Sequence, residues 1–242
     1  MRLMLKIVTK DISDFRDTLD AISSLITEAI FKINSNGIGL VAIDPASVGM
    51  VVYNMFASAF DTFKVEKEMS LGLNVGQLVS VLKRASAGDE VEFTSDGEKF
   101  TVVIKGKSKK KFVMPIIDMR ENEQKVPNLE FFVTVDTNVS YLKDAIKDVN
   151  MVSDCAVFVS KGGKFIIKAE GDGSEVEIEI PEAKVNGEGT AKYATDYLEK
   201  MILKGGNDVR IRYSDDYPVE FEYVVKDKYK LQFILAPRVD TA

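Results

Sequence analysis

The apolar residues of this chain run through one order twice, and that duplication restricts the folds open to it. Ile12, Phe15, Leu19 and Ile22 stand three and four residues apart, lining one face of a helix, and Val139, Leu142, Ile146 and Val149 repeat the spacing. A strand pair follows each: residues 28–34 with 38–44 across Asn36-Gly37, and residues 155–160 with 164–170 across Gly162-Gly163. Further strands are expected at 48–57 and 64–70 in the first half, and at 175–180 and 188–193 in the second. Second helices are expected over 74–87, striped by Val75, Leu78, Leu82 and Ala85, and over 195–204, striped by Leu198, Met201 and Ile202. Hairpins at 90–105 and 208–225 close the halves. The order helix, strands, helix, strands, met twice, defines an α+β protein of two duplicated domains.

Residues 115–130 lie between Pro115 and Pro127 with a polar middle, Arg120 to Lys125, and read as a connector. The division is therefore 1–114, connector 115–130, and 131–242.

Residue usage excludes much chemistry. With no histidine and one cysteine, Cys155, the chain has no His-based triad, no His or thiolate zinc site and no internal disulfide. Neither phosphate-binding glycine motif occurs. Asp215-Asp216 sits in an expected turn and Asp14, Asp17 and Asp20 on a helix exterior, where Asp is ordinary, so neither set reads as catalytic or metal-binding. No enzyme activity and no cofactor are expected. No apolar run approaches the ~20 residues of a membrane helix, and the first residues lack a signal-peptide pattern, so a cytoplasmic location is expected. The net charge of −6 does not advertise a nucleic-acid binder, and such a role would need a local basic surface.

Two segments are complementary. In an extended strand alternate side chains share a face, so Lys107, Lys109 and Lys111 oppose Lys110, Phe112 and Met114. Likewise Glu175, Glu177 and Glu179 oppose Val176, Ile178 and Ile180. Laid antiparallel, the segments match charge to charge and apolar to apolar, whereas either paired with its own copy sets like charges together. They could join inside one chain, stay solvated, or join neighbouring copies head to tail, which builds rings or filaments.

Four collinear segments give a family resemblance. Ala29 to Asp44, ending Gly39-Leu40-Val41-Ala42-Ile43-Asp44, resembles the early hairpin of the PCNA-type DNA sliding clamps. Phe60-Asp61-Thr62-Phe63, Leu71-Gly72-Leu73-Asn74 and Leu235-Ala236-Pro237-Arg238-Val239 resemble three later segments of that family. The resemblance implies a DNA clamp fold: antiparallel sheets outside, two helices per domain lining the hole of a ring, and a homotrimer closed by pairing the lysine strand with a neighbour's glutamate strand. It implies a processivity factor that encircles double-stranded DNA without reading sequence and tethers DNA polymerase and other replication and repair enzymes. A clamp loader would be a further partner, and the location nucleoid-associated. A non-DNA protein polymerising through the same edges is the competing reading.

The implied DNA-contacting residues are Arg16, Lys83, Arg84, Lys143, Lys147, Lys200 and Lys204, on helix faces that also carry Asp17, Asp20, Asp144 and Asp148. The implied client groove takes Ile43, Val48 and Met50 from the loop after the early hairpin and Val126 and Pro127 from the connector. Pro218 and the terminal Ile234, Leu235, Ala236, Pro237, Arg238 and Val239 complete it, accepting apolar side chains set at helical spacing.

Overall fold

Strand β1 (Leu5–Thr9) alternates buried and half-buried residues, then Asp11 turns the chain by accepting from the Ser13 backbone N–H (3.2 Å). Helix α1 (Ser13–Ser23) follows, burying Phe15, Leu19 and Ile22. The computed structural model describes residues 4–120, 124–205 and 208–238. Next come β2 (Glu28–Asn34), β3 (Gly37–Ile43), β4 (Gly49–Phe56), β5 (Thr62–Val65) and β6 (Met69–Asn74). Helix α2 (Val75–Leu82) is capped by the Asn74 side chain, which accepts from Gln77 N–H at 2.8 Å. Then β7 (Glu90–Ser95), β8 (Lys99–Lys105) and β9 (Lys109–Pro115) complete the repeat.

The second repeat has the same order. It runs β10 (Val133–Asn138), α3 (Val139–Asn150), β11 (Cys155–Lys161), β12 (Lys164–Gly171), β13 (Ser174–Glu179), β14 (Lys184–Asn186) and β15 (Gly189–Ala194). Helix α4 (Thr195–Lys200), β16 (Asp208–Tyr213), β17 (Val219–Val225) and β18 (Tyr229–Leu235) finish it. The hydrogen-bonded strand orders agree strand for strand. In the first repeat they are β5-β1-β7-β8-β9 and β4-β3-β2-β6; in the second, β14-β10-β16-β17-β18 and β13-β12-β11-β15.

The chain forms two compact units, one of residues 1–43, 51–126 and 224–231, the other of 44–50, 127–223 and 232–242. In the first, α1 packs beside α2 and their apolar stripes meet a core in which Phe15 sits edge-on to Phe60 and Phe93, both at 5.8 Å. In the second, α3 packs beside α4, and Phe158 is the centre of an aromatic cluster with Phe165 at 5.3 Å and Tyr193 at 5.2 Å. The Thr195 hydroxyl donates to the Asn150 amide oxygen (2.8 Å), tying the start of α4 to the end of α3.

Several expected boundaries move. Helix α2 stops at Leu82 and α4 at Lys200, because Arg84 and Met201 N–H groups turn back to carbonyls three residues away. Strand β10 runs up to α3, and the cap at Asn138 accepts from Ser140 N–H (2.9 Å). Strands β1, β10, β14 and β18 were not expected from the pattern.

Candidate functional site: two sheet edges, two helix pairs and a loop

Strands β9 and β13 each end their sheet. Among the described residues β9 pairs only with β8, and β13 only with β12. Each therefore presents a row of backbone N–H and C=O groups with no protein partner along its outer side. On β9, Lys109, Lys111 and Val113 are exposed while Phe112 is half-buried. On β13, Glu175, Glu177 and Glu179 are exposed while Val176 and Ile178 are half-buried.

Some expected edge residues do other work. Lys107 is not in the strand: residues 106–108 make the β8–β9 turn, where Gly106 N–H reaches the Ser108 carbonyl. Lys110 points inward, and its ammonium donates to the Arg84 carbonyl at 2.9 Å, a cation at the end of α2 where the helix dipole favours one. Met114 and Ile180 are core residues of their own units, 2% and 4% exposed, and have little surface to offer a neighbour.

The charges along each edge are unevenly satisfied. Lys105 is gripped by Glu90 and Glu92, both at 2.8 Å, Glu177 by Lys168 at 2.6 Å and Glu179 by Lys164 at 2.9 Å. Their hydrogen bonds hold Lys105 above the usual lysine range and Glu90 below the usual carboxylate range. The register sets Lys109 opposite Lys105 and Glu175 opposite Glu170, one like-charge pair at each edge.

The helix faces carry cations already shared with acids. Arg16 bonds Asp17 and Lys83 bonds Asp20, each at 2.8 Å, the latter bridging α2 to α1. Arg84, Lys143 and Lys147 are exposed, the last two beside Asp144 and Asp148. Lys200 lies 3.6 Å from Asp196 with its ammonium 5.0 Å from the centre of the Tyr197 ring. Lys204 is exposed beyond the end of α4. The surface is mixed in sign, as the sequence indicates.

In the second unit residues 44–50 form a loop built on one carboxylate. Asp44 is 5% exposed, and its oxygens accept from the backbone N–H groups of Ala46 (3.0 Å), Val48 (2.8 Å) and Gly49 (2.6 Å) and from the Tyr197 hydroxyl (2.7 Å). Burial pushes the Asp44 carboxyl up, but the four donors outweigh it and hold it below the usual range. Its hydrogen bond to Asp44 pushes the Tyr197 phenol up to about 12. Ser47 adopts φ 60, a left-handed conformation that this wrapping compensates. The Val48 carbonyl accepts from Ala236 N–H at 2.9 Å, and Arg238 N–H donates to the Lys192 carbonyl at 2.7 Å, so the segment after β18 runs beside the loop. Asp44-Pro45-Ala46-Ser47 is legible as an Asx-type turn. Its anchor Tyr197, 153 residues away, is not.

The expected groove residues divide by exposure. Ile43, Val48 and Val126 are 36%, 38% and 47% exposed, Pro127 and Arg238 are exposed, and Pro218, Ala236 and Pro237 are half-buried. Met50, Ile234 and Leu235 are 9%, 7% and 1% exposed and belong to the core, because both faces of their strands are covered. Val239 lies outside the described residues.

Duplicated units of antiparallel sheet and paired helices, ending in oppositely charged sheet edges, define the class of DNA clamps. A crystal structure of PCNA from Thermococcus kodakaraensis matches with a TM-score of 0.91 and 28% identity, over 97% of this chain and 100% of that one. Residues 4–125 match the proliferating cell nuclear antigen N-terminal domain. The proteins named DNA polymerase sliding clamp from Pyrococcus furiosus and Thermococcus onnurineus are 34% and 35% identical, over 97% of this chain and 98% of each relative. The chain belongs to the proliferating cell nuclear antigen family of sliding clamps.

Proposed function

We propose that this chain is a ring-forming DNA sliding clamp, a processivity factor that tethers DNA polymerase and other replication and repair enzymes to duplex DNA. It assembles as a homotrimer, with β9 of each copy pairing antiparallel with β13 of the next. One observation carries the assembly reading. By repeat order β18 and β4 are the counterparts of β9 and β13, and those two are already hydrogen-bonded neighbours. Phe56 N–H donates to the Lys228 carbonyl (2.8 Å) in the first unit and Ala236 N–H to the Val48 carbonyl (2.9 Å) in the second. The chain thus makes once, internally, the junction that its two outer edges leave open. Pairing across copies relieves both like-charge contacts, setting Lys109 and Lys111 among glutamates, while Phe112, Val176 and Ile178 supply apolar burial.

The helix pairs face the duplex through Arg16, Lys83, Arg84, Lys143, Lys147, Lys200 and Lys204, in weak contact with phosphates that carries no sequence information. Enclosure rather than affinity retains the DNA. Clients dock through Val48, Pro127 and the segment after β18, and the chain itself performs no catalysis. Polymerase extension on a primed circle tests the whole. Longer products with the clamp and its loader are expected on closed circles, and loss of the effect when the circle is cut. Equal stimulation on both templates contradicts enclosure.

A further inference from the structure

We infer that Asp44 and Tyr197 are positioning residues for client binding, fixing the loop that presents Val48. The inference rests on the reading of residues 44–50 and 236–239 as client surface, and it adds what holds that surface in shape. Val48 exposes its side chain while both of its peptide groups are tied down, the N–H to Asp44 and the carbonyl to Ala236. Asp44 can hold Val48 only while its own carboxylate stays in place. Among the described residues that carboxylate, almost wholly buried, has one side-chain partner, the Tyr197 hydroxyl.

Tyr197 supports the loop in two ways. Its hydroxyl donates to Asp44, and its ring lies against Gly49, where an added Cβ would meet the ring at 3.4 Å. The ring stands on α4, whose fold is set by the buried Thr195 and Leu198 on either side. A loop that would otherwise sample many backbone states, with Ser47 in the left-handed region, is thereby held in one. A client then meets an ordered Val48 and does not spend binding free energy on ordering the loop.

The test is fluorescence anisotropy with a fluorescein-labelled amphipathic peptide carrying apolar residues at i, i+3 and i+4, titrated with the full-length assembled protein. Tyr197→Phe keeps the ring and removes one hydrogen bond to a charged group. It is expected to weaken the peptide about tenfold, while leaving the solution mass unchanged. Asp44→Ala is expected to weaken it further, and Tyr197→Phe to add nothing in the Asp44→Ala background, because the hydroxyl acts through the carboxylate. Hydrogen exchange should show the Ala46, Val48, Gly49 and Ala236 amides losing protection in Tyr197→Phe. Wild-type protein that takes up no peptide overturns the groove reading and this assignment with it. Binding by wild type that Tyr197→Phe leaves unchanged, or additive losses in the double variant, overturns this assignment alone.

Discussion

The carboxylate of Asp44 makes the 44–50 loop sensitive to acid. The Asp44 carboxyl lies below its ordinary value in the folded protein, so its contribution is fully present above the unfolded pKa of ~3.9. It is lost as pH falls through the folded value. Asp44→Asn should therefore lower the melting temperature at neutral pH and converge with wild type at the acid end of a thermal-melt series. Parallel curves at every pH would show that the carboxylate's charge contributes nothing. Asp44→Ala leaves three backbone N–H groups without their acceptor, that of Gly49 buried and those of Ala46 and Val48 partly so. At ~1–3 kcal/mol for an unsatisfied buried donor, it is expected to be among the more destabilising changes in the second unit.

Among the elements, the two edge strands carry the proposed assembly. With Lys107 in the turn, Lys109→Glu and Lys111→Glu together place like charges against Glu175, Glu177 and Glu179 and should leave a monomer of 26.9 kDa in light scattering. Adding Glu175→Lys and Glu177→Lys to the same chain should restore the multimer, because the sign of two positions on each edge is then exchanged. A chain with all four changes that remains monomeric contradicts charge matching. Truncating Phe112 to Ala removes apolar contact rather than charge and is expected to cost ~3–5 kcal/mol at a well-packed junction, less where Phe112 stays partly wet. Sedimentation over a concentration series reads that as a shift of the monomer–multimer midpoint by a factor of a hundred or more.

Element type was legible where alternation or helical spacing ran long enough. The two strand pairs at Asn36-Gly37 and Gly162-Gly163, the hairpins and the α1 and α3 stripes all stand where the pattern puts them. Strands β1 and β14 are five and three residues long, too short to alternate convincingly. Strand β18 alternates from Tyr229 to Phe233 and was there to be read; only its end, Phe233 to Leu235, is apolar on both faces. The helix ends were overdrawn because Ala85, Met201 and Ile202 keep the apolar spacing while lying in turns that bury them equally well. Of the candidate residues, β-strand periodicity gave the direction of Lys109, Lys111 and the glutamates. It could not show that Lys110 bonds the Arg84 carbonyl or that Leu235 is sealed in the core, since both depend on contacts distant in sequence.

Across the whole molecule, a net charge of −6 and helix faces of mixed sign predict weak direct binding to DNA. Arg16 and Lys83 are already engaged by Asp17 and Asp20, so few cations are left to displace counterions. The salt dependence of binding to short linear duplex should accordingly be shallow, with a slope well below the ~0.9 per contact that seven independent phosphate contacts would give. Asp17→Lys with Asp20→Lys should steepen it, read by anisotropy at several salt concentrations. An unchanged slope would place α1 away from the duplex.

In the proposed ring, the repeat makes one protomer incomplete. Strands β18 and β4 are paired within the chain while their repeat counterparts β9 and β13 each end a sheet, and complementary ends of that kind would close by meeting copies of the chain. Light scattering of the purified chain at micromolar concentration measures that closure most directly. Three times the 26.9 kDa chain mass is the value expected; a mass of one chain, or a distribution that grows without limit as concentration rises, would contradict a closed ring.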